Sequence, residues 1–309
     1  MEYSSDNLKI AKSILSLYLN NDRIYYTIIR NENSEWYLDK IDSTNYPLKF
    51  DNDSKLISNS FQELNAICEK YKYDEIKVVF PNNLSLISKI PFSQEIIDAE
   101  DLAKMLELET SRTFANSQPD DFLYDFYLID AKEIMTVISP KILQEQMKGL
   151  LSLYKTPIEY YFSEHFSAAN LFSNNYSNLI NENVLLISLE SNEIFLNIMF
   201  RNQIVHSAVL HYESNYGIPA IVTRYLNEII PENNFQINKS FVYGSSLTKV
   251  VMEEINNNLK DLQIHCERLN PFSELYPNLS DENLEYCSRA MQFFPACIGA
   301  SLPQILKRK

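Results

Sequence analysis

Four histidines are the first candidates for chemistry: His165, His206, His211 and His265. None of them pairs at H-x-x-x-H or H-E-x-x-H spacing, so no helix presents two imidazoles to one metal ion. His206 and His211 lie on or just after one expected strand, five residues apart, with side chains on opposite faces. Cys68, Cys266, Cys287 and Cys297 lack C-x-x-C spacing and read as reduced, buried small hydrophobes. Glu107 and Glu109, two apart on an expected helix, cannot share a face for paired acid–base work. No catalytic residue and no metal ligand is assigned from these types.

Phosphate chemistry needs backbone that closes on a ligand, and glycine supplies it. This chain of 309 residues has only Gly149, Gly217, Gly244 and Gly299, where an average composition would give about 22. Neither G-x-G-x-x-G, G-x-x-x-x-G-K-[ST] nor G-x-S-x-G can be written from those four positions. The common dinucleotide enzymes, P-loop NTPases, kinases and α/β-hydrolases are thereby disfavoured. Gly244-Ser245-Ser246 is either a vestigial ligand loop or a plain turn from strand to helix with serine as cap. Ser16, Ser188 and Asp22 offer an improvised Mg²⁺–phosphate site, or are ordinary polar residues of exposed hairpins.

The elements that would position these residues are legible from periodicity. Ile14–Leu19, Ile24–Ile29 and Glu35–Ile41 read as a β-meander, followed by a helix over Ser54–Lys72 and a strand over Ile76–Phe80. The pattern recurs in the second half: strands Val184–Leu189, Ile194–Phe200 and Ile204–Leu210, a helix Ala220–Ile230, and a strand Phe241–Tyr243. Two βββαβ units imply two similar lobes across a cleft. Between them, strands at Leu84–Ile90, Leu123–Ile129 and Ile134–Ile138 and helices at Ile97–Phe114 and Pro140–Leu153 suggest an inserted subdomain. Ile158–Phe162 reads as a further strand, Glu164–Phe172 as a helix and the asparagine-rich Ser173–Asn183 as a linker.

Charge narrows the partners. With 41 acidic against 27 basic side chains, the net charge of −14 argues against nucleic acid. The polar N-terminal sequence has no signal-peptide character, and no apolar run reaches the roughly 18 residues of a membrane span, so a cytoplasmic globule is expected. Pro91–Asp130 holds ten acidic and two basic residues, either a docking face for a basic peptide or a solvated helix face. Lys307-Arg308-Lys309 is a weak lipid-headgroup signal. Tyr124-Phe126-Tyr127 and Tyr160-Tyr161-Phe162 are read first as core filling and second as interaction hot spots.

Several short motifs carry a resemblance. Val78-Val79-Phe80-Pro81 leading to Lys89-Ile90-Pro91-Phe92, the helix Glu107–Phe114, Tyr124-Asp125-Phe126-Tyr127 and Val137-Ile138-Ser139-Pro140-Lys141 follow one another as in the PilM-like type IV pilus assembly proteins. So do Phe162–Ala169, Val242-Tyr243-Gly244-Ser245-Ser246, Asn270-Pro271-Phe272 and Cys297–Leu302. The cell-division protein FtsA and the type II secretion protein GspL are related alternatives. The resemblance implies an α/β, actin-like (ribonuclease H-like) two-lobed fold with an inserted small α/β subdomain and a reduced second lobe. Its divisions would be 1–80 for the first lobe, 81–163 for the insert and 164–183 for a connecting helix and linker. The second lobe would span 184–285, and 286–309 would be helices packing back on the first.

The departures from the family bear on function. Where its ATP binders carry acid and glycine in the first hairpin, this chain has Ser16 and Tyr18, and Glu190 stands at the second. A carboxylate facing a polyanion at ~4 Å costs about 1–4 kcal/mol. Gly244, Ser245 and Ser246 would be the remnant of the adenine loop, and the short Leu210–Ala220 connection would lack the outer part of the nucleotide clamp. The resemblance therefore implies a non-catalytic scaffold with no cofactor, docking the short cytoplasmic tail of an inner-membrane assembly protein between the first lobe and the insert. Lys89, Pro91, Arg112 and Phe114 are the candidate contacts, sitting at the insert's matched motifs. The alternatives are an ATP- and Mg-binding actin-like ATPase or small-molecule kinase with an atypical pocket, and an unrelated α/β domain.

Overall fold

The computed structural model describes residues 12–20, 22–45, 47, 58–91, 99–113, 118–128, 133–161 and 163–305. Phe114, the polar N-terminal tail and the basic run 307–309 lie outside these residues. The first lobe opens with β1 (Lys12–Leu19), β2 (Ile24–Glu32) and β3 (Glu35–Ser43), an antiparallel meander. Helix α1 (Ser58–Lys70) leads to β4 (Glu75–Val79), which pairs parallel with β1. Both faces of β1 and β2 are covered, so apolar residues run nearly unbroken along them rather than alternating with polar ones.

The insert leaves from the end of β4. It contains β5 (Leu86–Pro91), α2 (Ala99–Thr113), β6 (Phe122–Leu128) and β7 (Glu133–Pro140), with its own antiparallel sheet in the order β5-β7-β6. The chain returns through α3 (Lys141–Leu151) to β8 (Ile158–Tyr161). β8 hydrogen-bonds β4 within the first lobe's sheet, and Leu143, Met147 and Leu151 of α3 join that lobe's core. The insert proper is therefore smaller than 81–163, because α3 and β8 complete the first lobe. Tyr160 and Tyr161 are buried there, as core filling requires.

After α4 (Glu164–Asn175), the second lobe repeats the first. β9 (Asn183–Glu190), β10 (Glu193–Phe200) and β11 (Gln203–His211) form the meander, followed by α5 (Ile218–Asn233), β12 (Ile237–Tyr243), α6 (Lys249–Lys260) and β13 (His265–Arg268). The sheet order β11-β10-β9-β12-β13 matches β3-β2-β1-β4-β8 in the first lobe, strand for strand. β14 (Tyr276–Pro277) then pairs with β3, so the chain has rejoined the first lobe by Tyr276. Helices α7 (Asp281–Ala290) and α8 (Pro295–Ser301) follow.

Several hairpin turns use left-handed backbone without glycine. Asn33 and Ser34 close β2–β3, Asn192 closes β9–β10, and Arg201 and Asn202 close β10–β11, all at positive φ. Paired positive-φ residues suit the right-handed twist of hairpin strands, and asparagine tolerates that region better than most residues. The glycine deficit is met by these substitutes rather than by longer loops.

The lobes share one buried layer. Most of α4 is sequestered, including Ser167, Asn170 and Ser173, because the second lobe packs on one side of it and α8 on another. Phe172 meets Phe241 of β12, with ring centroids 5.7 Å apart. Asn170 donates to Gly299 O (2.9 Å) and accepts from Ile305 N (2.8 Å), fastening the chain's return to α4. The segment 173–183 is no open linker: Ser173, Asn175 and Leu179 are buried, and Asn175 Nδ2 donates to Asn270 O at 3.3 Å.

Gly299 is needed where α8 crosses α4, since a Cβ there would overlap Ser167 O. Gly149, on the exposed side of α3, has nothing within 4 Å of a Cβ position. Gly299→Ala is expected to cost about 2–4 kcal/mol through forced separation of the helices. Gly149→Ala should gain up to about 1 kcal/mol from helix propensity. Urea unfolding of the two variants checks the contrast.

Candidate functional site

The ends of β1, β4, β9 and β12 converge where the lobes meet. β1 delivers Tyr18 and Asn20, β9 delivers Glu190, and the turn after β12 delivers Gly244, Ser245 and Ser246. The segment after β4 supplies Asn82, and α4 opens with Glu164. Alternation along β1 puts Ser16 and Tyr18 on one face and Leu15, Leu17 and Leu19 on the other. Glu190 likewise shares a face with Ser188, toward the first lobe, while Leu185, Ile187 and Leu189 pack in the core with α5 and α6.

Two carboxylates anchor the site. Tyr18 donates its hydroxyl to Glu164 Oε2, and Asn82 Nδ2 donates to Glu164 Oε1 at 3.1 Å. Asn82 Oδ1 accepts from Glu164 N (3.1 Å) and Ser163 Oγ (2.9 Å), so one amide side chain fixes the start of α4. Glu190 accepts from Ser245 N (3.2 Å) at Oε1 and from Ser245 Oγ (2.5 Å) at Oε2. Asn20 Nδ2 spans the lobes, reaching Tyr18 Oη at 2.9 Å and Glu190 Oε2 at 3.4 Å.

These groups enclose a cavity of about 10 Å³, lined by Tyr18, Asn20, Glu164, Glu190, Tyr243 and Ser245 and walled on one side by Phe293 and Pro295. That is about the room of one water-sized sphere. No lysine or arginine lines it among the described residues. Burial, then the charge of Glu190, pushes the Glu164 carboxyl well above the usual carboxylate range. Burial raises Glu190 to about 7, against the lowering pull of its Ser245 hydrogen bonds. Burial and the charge of Glu164 raise the Tyr18 and Tyr243 hydroxyls, so both tyrosines stay protonated as donors.

Gly244 adopts φ +114°, and a Cβ there would overlap Leu189 O and lie 2.8 Å from Glu190 Oε1. The glycine is thus required by the close approach of the β9 end. The turn is further pinned by Ser246 N donating to Leu189 O (2.9 Å) and Gly244 N donating to Gln292 O (3.0 Å). Thr248, not a serine of the turn, caps α6, its side chain accepting from Val251 N.

A wider groove of about 290 Å³ opens beside the cavity. Leu86 and Ile87 of β5, with Asn82 and Ser85, form one wall, and Glu193, Phe195, Val209 and His211 of β10 and β11 form the other. β5 is an edge strand of the insert sheet. His165 is buried behind the groove, stacked on Phe195 at 4.8 Å between centroids and bonded through Nδ1 to Ser163 Oγ at 2.9 Å.

The remaining sequence candidates distribute differently. Ser16 is fully buried beneath α8, whose Cys297 Sγ lies 3.1 Å from Ser16 O, and Ser188 is buried under Tyr243, while Asp22 is exposed. The three do not form one phosphate-facing cluster. His206 bonds Tyr225 of α5 (2.7 Å) and His211 stands by Glu193 (3.9 Å), on opposite faces as the strand spacing requires. The four cysteines are buried and free, and no metal-holding cluster of His, Cys, Asp or Glu occurs among the described residues. Arg112 is exposed in the last turn of α2. Lys89 and Pro91 belong to β5, but their side chains, and Phe114 entirely, lie outside the described residues. Sequence reasoning named Tyr18 and Glu190 but missed Asn82 and Glu164 as a pair. An acid in the first turn of a helix is ordinary, and nothing local marks an asparagine 82 residues before it.

No family model matches the sequence, and no curated protein does. Solved structures do. A chain of the PilM–PilN type IV pilus biogenesis complex superposes with a TM-score of 0.69 at 10% identity, covering 94% of this chain and 99% of that one. A Bacteroides thetaiotaomicron protein with an actin-like ATPase fold and unknown function gives 0.53 at 14% identity, covering 86% and 93%. The fold is the actin-like one. The cytoplasmic domain of EpsL, an inner membrane component of the Vibrio cholerae type II secretion system, gives 0.47 at 8% identity, covering 84% and 98%. No helix among the described residues is long and apolar enough to cross a membrane.

Relative to Glu190→Gln, the wild type is expected to be more stable at pH 5 than at pH 8 by on the order of 2 kcal/mol. A carboxyl raised by folding contributes stability below its unfolded pKa and loses it as pH climbs through about 7. Burial lowers His165 to about 3, which gives an opposite slope below the ordinary histidine range. The gap between the two proteins, rather than either curve alone, therefore cancels His165 and reports Glu190 together with the effect of its charge on Glu164. Urea unfolding at both pH values measures it, and an unchanging gap refutes it.

Proposed function

We propose that this chain is a non-catalytic, PilM-like scaffold of a membrane-associated assembly, without a nucleotide cofactor, that holds a short cytoplasmic tail of an inner-membrane partner. One observation carries the reading: the chain's own side chains fill the junction of the lobes. A site for a drug-sized ligand occupies about 300–1,000 Å³, whereas Tyr18, Glu164, Glu190 and Tyr243 leave about 10 Å³ here. The residues present do not fit a triphosphate and its Mg²⁺. Both carboxylates turn toward the place the phosphates would take, and the turn's amide at Ser245 is already engaged by Glu190.

Two features support the docking half of the reading. The solved structure with a TM-score of 0.69 is itself part of a complex, PilM with PilN. A groove of about 290 Å³ lies between the edge strand β5 at the root of the insert and β10 and β11 of the second lobe, not between the insert and the first lobe as the resemblance implied. An edge strand offers unpaired backbone groups to an extended peptide. Arg112, with Lys89, Pro91 and Phe114 by resemblance, would extend the contact over the insert.

Titration with Mg-ATP to millimolar concentration is expected to leave the melting temperature of the wild type unchanged. A saturable rise, which linkage demands of any ligand that binds the native state, overturns the scaffold reading in favour of an ATPase or kinase. Pull-down from a membrane extract is expected to retain a membrane-anchored protein that a synthetic peptide of its cytoplasmic tail displaces.

A further inference from the structure

We propose that the Gly244–Ser246 turn and Asn20 form a receptor for a small tetrahedral oxyanion, and that Glu190 occupies it as a tethered ligand. Three donors converge on one carboxylate: Ser245 N at 3.2 Å, Ser245 Oγ at 2.5 Å and Asn20 Nδ2 at 3.4 Å. They come from both lobes and from backbone and side chain, an arrangement that suits any anion with two or more acceptor oxygens. The positive φ of Gly244 lets the turn approach this closely, and a Cβ would crowd Glu190 Oε1 itself.

The setting argues that the carboxylate is held by those donors and not by bulk charge. Glu164 faces it from α4, Asp22 from the first hairpin and Tyr18 from β1. Tyr243 faces it from β12, and Glu193 of β10 acts on Glu164. His165, beside Glu164, is neutral at ordinary pH because burial lowers it to about 3. No cation among the described residues lines the cavity to offset these acids. An acid placed among acids keeps that position because the donors are there.

A ligand on the same chain acts at an effective concentration in the millimolar range or above. Free phosphate at similar concentration must displace Glu190 into a cleft with about 10 Å³ to spare, so the native chain stays closed to it. Removing the side chain beyond Cβ releases the three donors and the volume together. Burial, which holds the Glu164 carboxyl above the usual carboxylate range, weakens its opposition to the incoming anion.

The inference rests on the reading that the junction is shut to nucleotide, yet the two fail separately. The test is thermal unfolding of wild type, Glu190→Ala and Glu190→Gln in sodium phosphate, sodium sulfate, sodium chloride of matched ionic strength, and Mg-ATP. Glu190→Ala should melt below the wild type and gain several degrees, saturably, in phosphate and sulfate but not in chloride. Wild type and Glu190→Gln, whose side chains still fill the receptor, should not respond to phosphate. Adding Ser245→Ala to Glu190→Ala should abolish the gain. If Glu190→Ala does not fold, Glu190→Ser, which keeps a hydroxyl near the freed donors, serves in the same comparison. A phosphate-blind truncation variant, or an equal response in all three proteins, overturns the tethered-ligand inference alone. Stabilisation of the wild type by Mg-ATP overturns the function proposed above.

Discussion

Helix α4 is buried along most of its length although it carries Glu164, His165, Ser167, Asn170 and Ser173, and that constraint organises the molecule. Burying polar side chains costs free energy wherever they lack partners, as Ser167 Oγ, Ser173 Oγ and His165 Nε2 do, so the bonds of the others matter. Asn170 binds backbone of the returning C-terminal segment, and Glu164 takes hydrogen bonds from Tyr18 and Asn82. The helix therefore ties three distant stretches of chain together, and its N-terminus aims a carboxylate at the junction of the lobes. Packing of the two halves and chemistry of the junction are thus one problem. Gly299 lets α8 lie against the middle of α4, while Asn82 and Tyr18 hold its end.

How much of this was written in the sequence differs by element. The two meanders are legible because β-branched and aromatic runs separated by polar turns have few other solutions. The duplication follows from their order. The short polar strands escape that reasoning: His265–Arg268 carries one buried residue, Cys266, and β14 is two residues long, so both are defined by pairing and not by pattern. Segment 173–183 has the composition of a linker, but its amides satisfy carbonyls of remote chain, which no local window reveals.

At the site, strand alternation places Glu190 and Tyr18 toward the cleft, and glycine scarcity singles out Gly244. The asparagines are harder to see. Asn20 and Asn82 look like turn residues, which they also are, with Asn20 Oδ1 accepting from Asp22 N. Their side-chain donors act across the junction only once the lobes have closed. The helix cap shows the same limit: Thr248, and neither Ser245 nor Ser246, closes the first turn of α6. The role of Ser245 is set by a carboxylate 55 positions earlier in the chain.

The matching strand orders of the two sheets give the molecule an internal pseudo-twofold relation. Under it, the end of β4 corresponds to the end of β12, so the root of the insert and the Gly244 turn are the same place in two copies of one unit. In the first copy Asn82 grips Glu164; in the second Ser245 grips Glu190. The root of the insert therefore abuts the lobe junction, with Asn82 holding the start of α4 four residues before β5 begins.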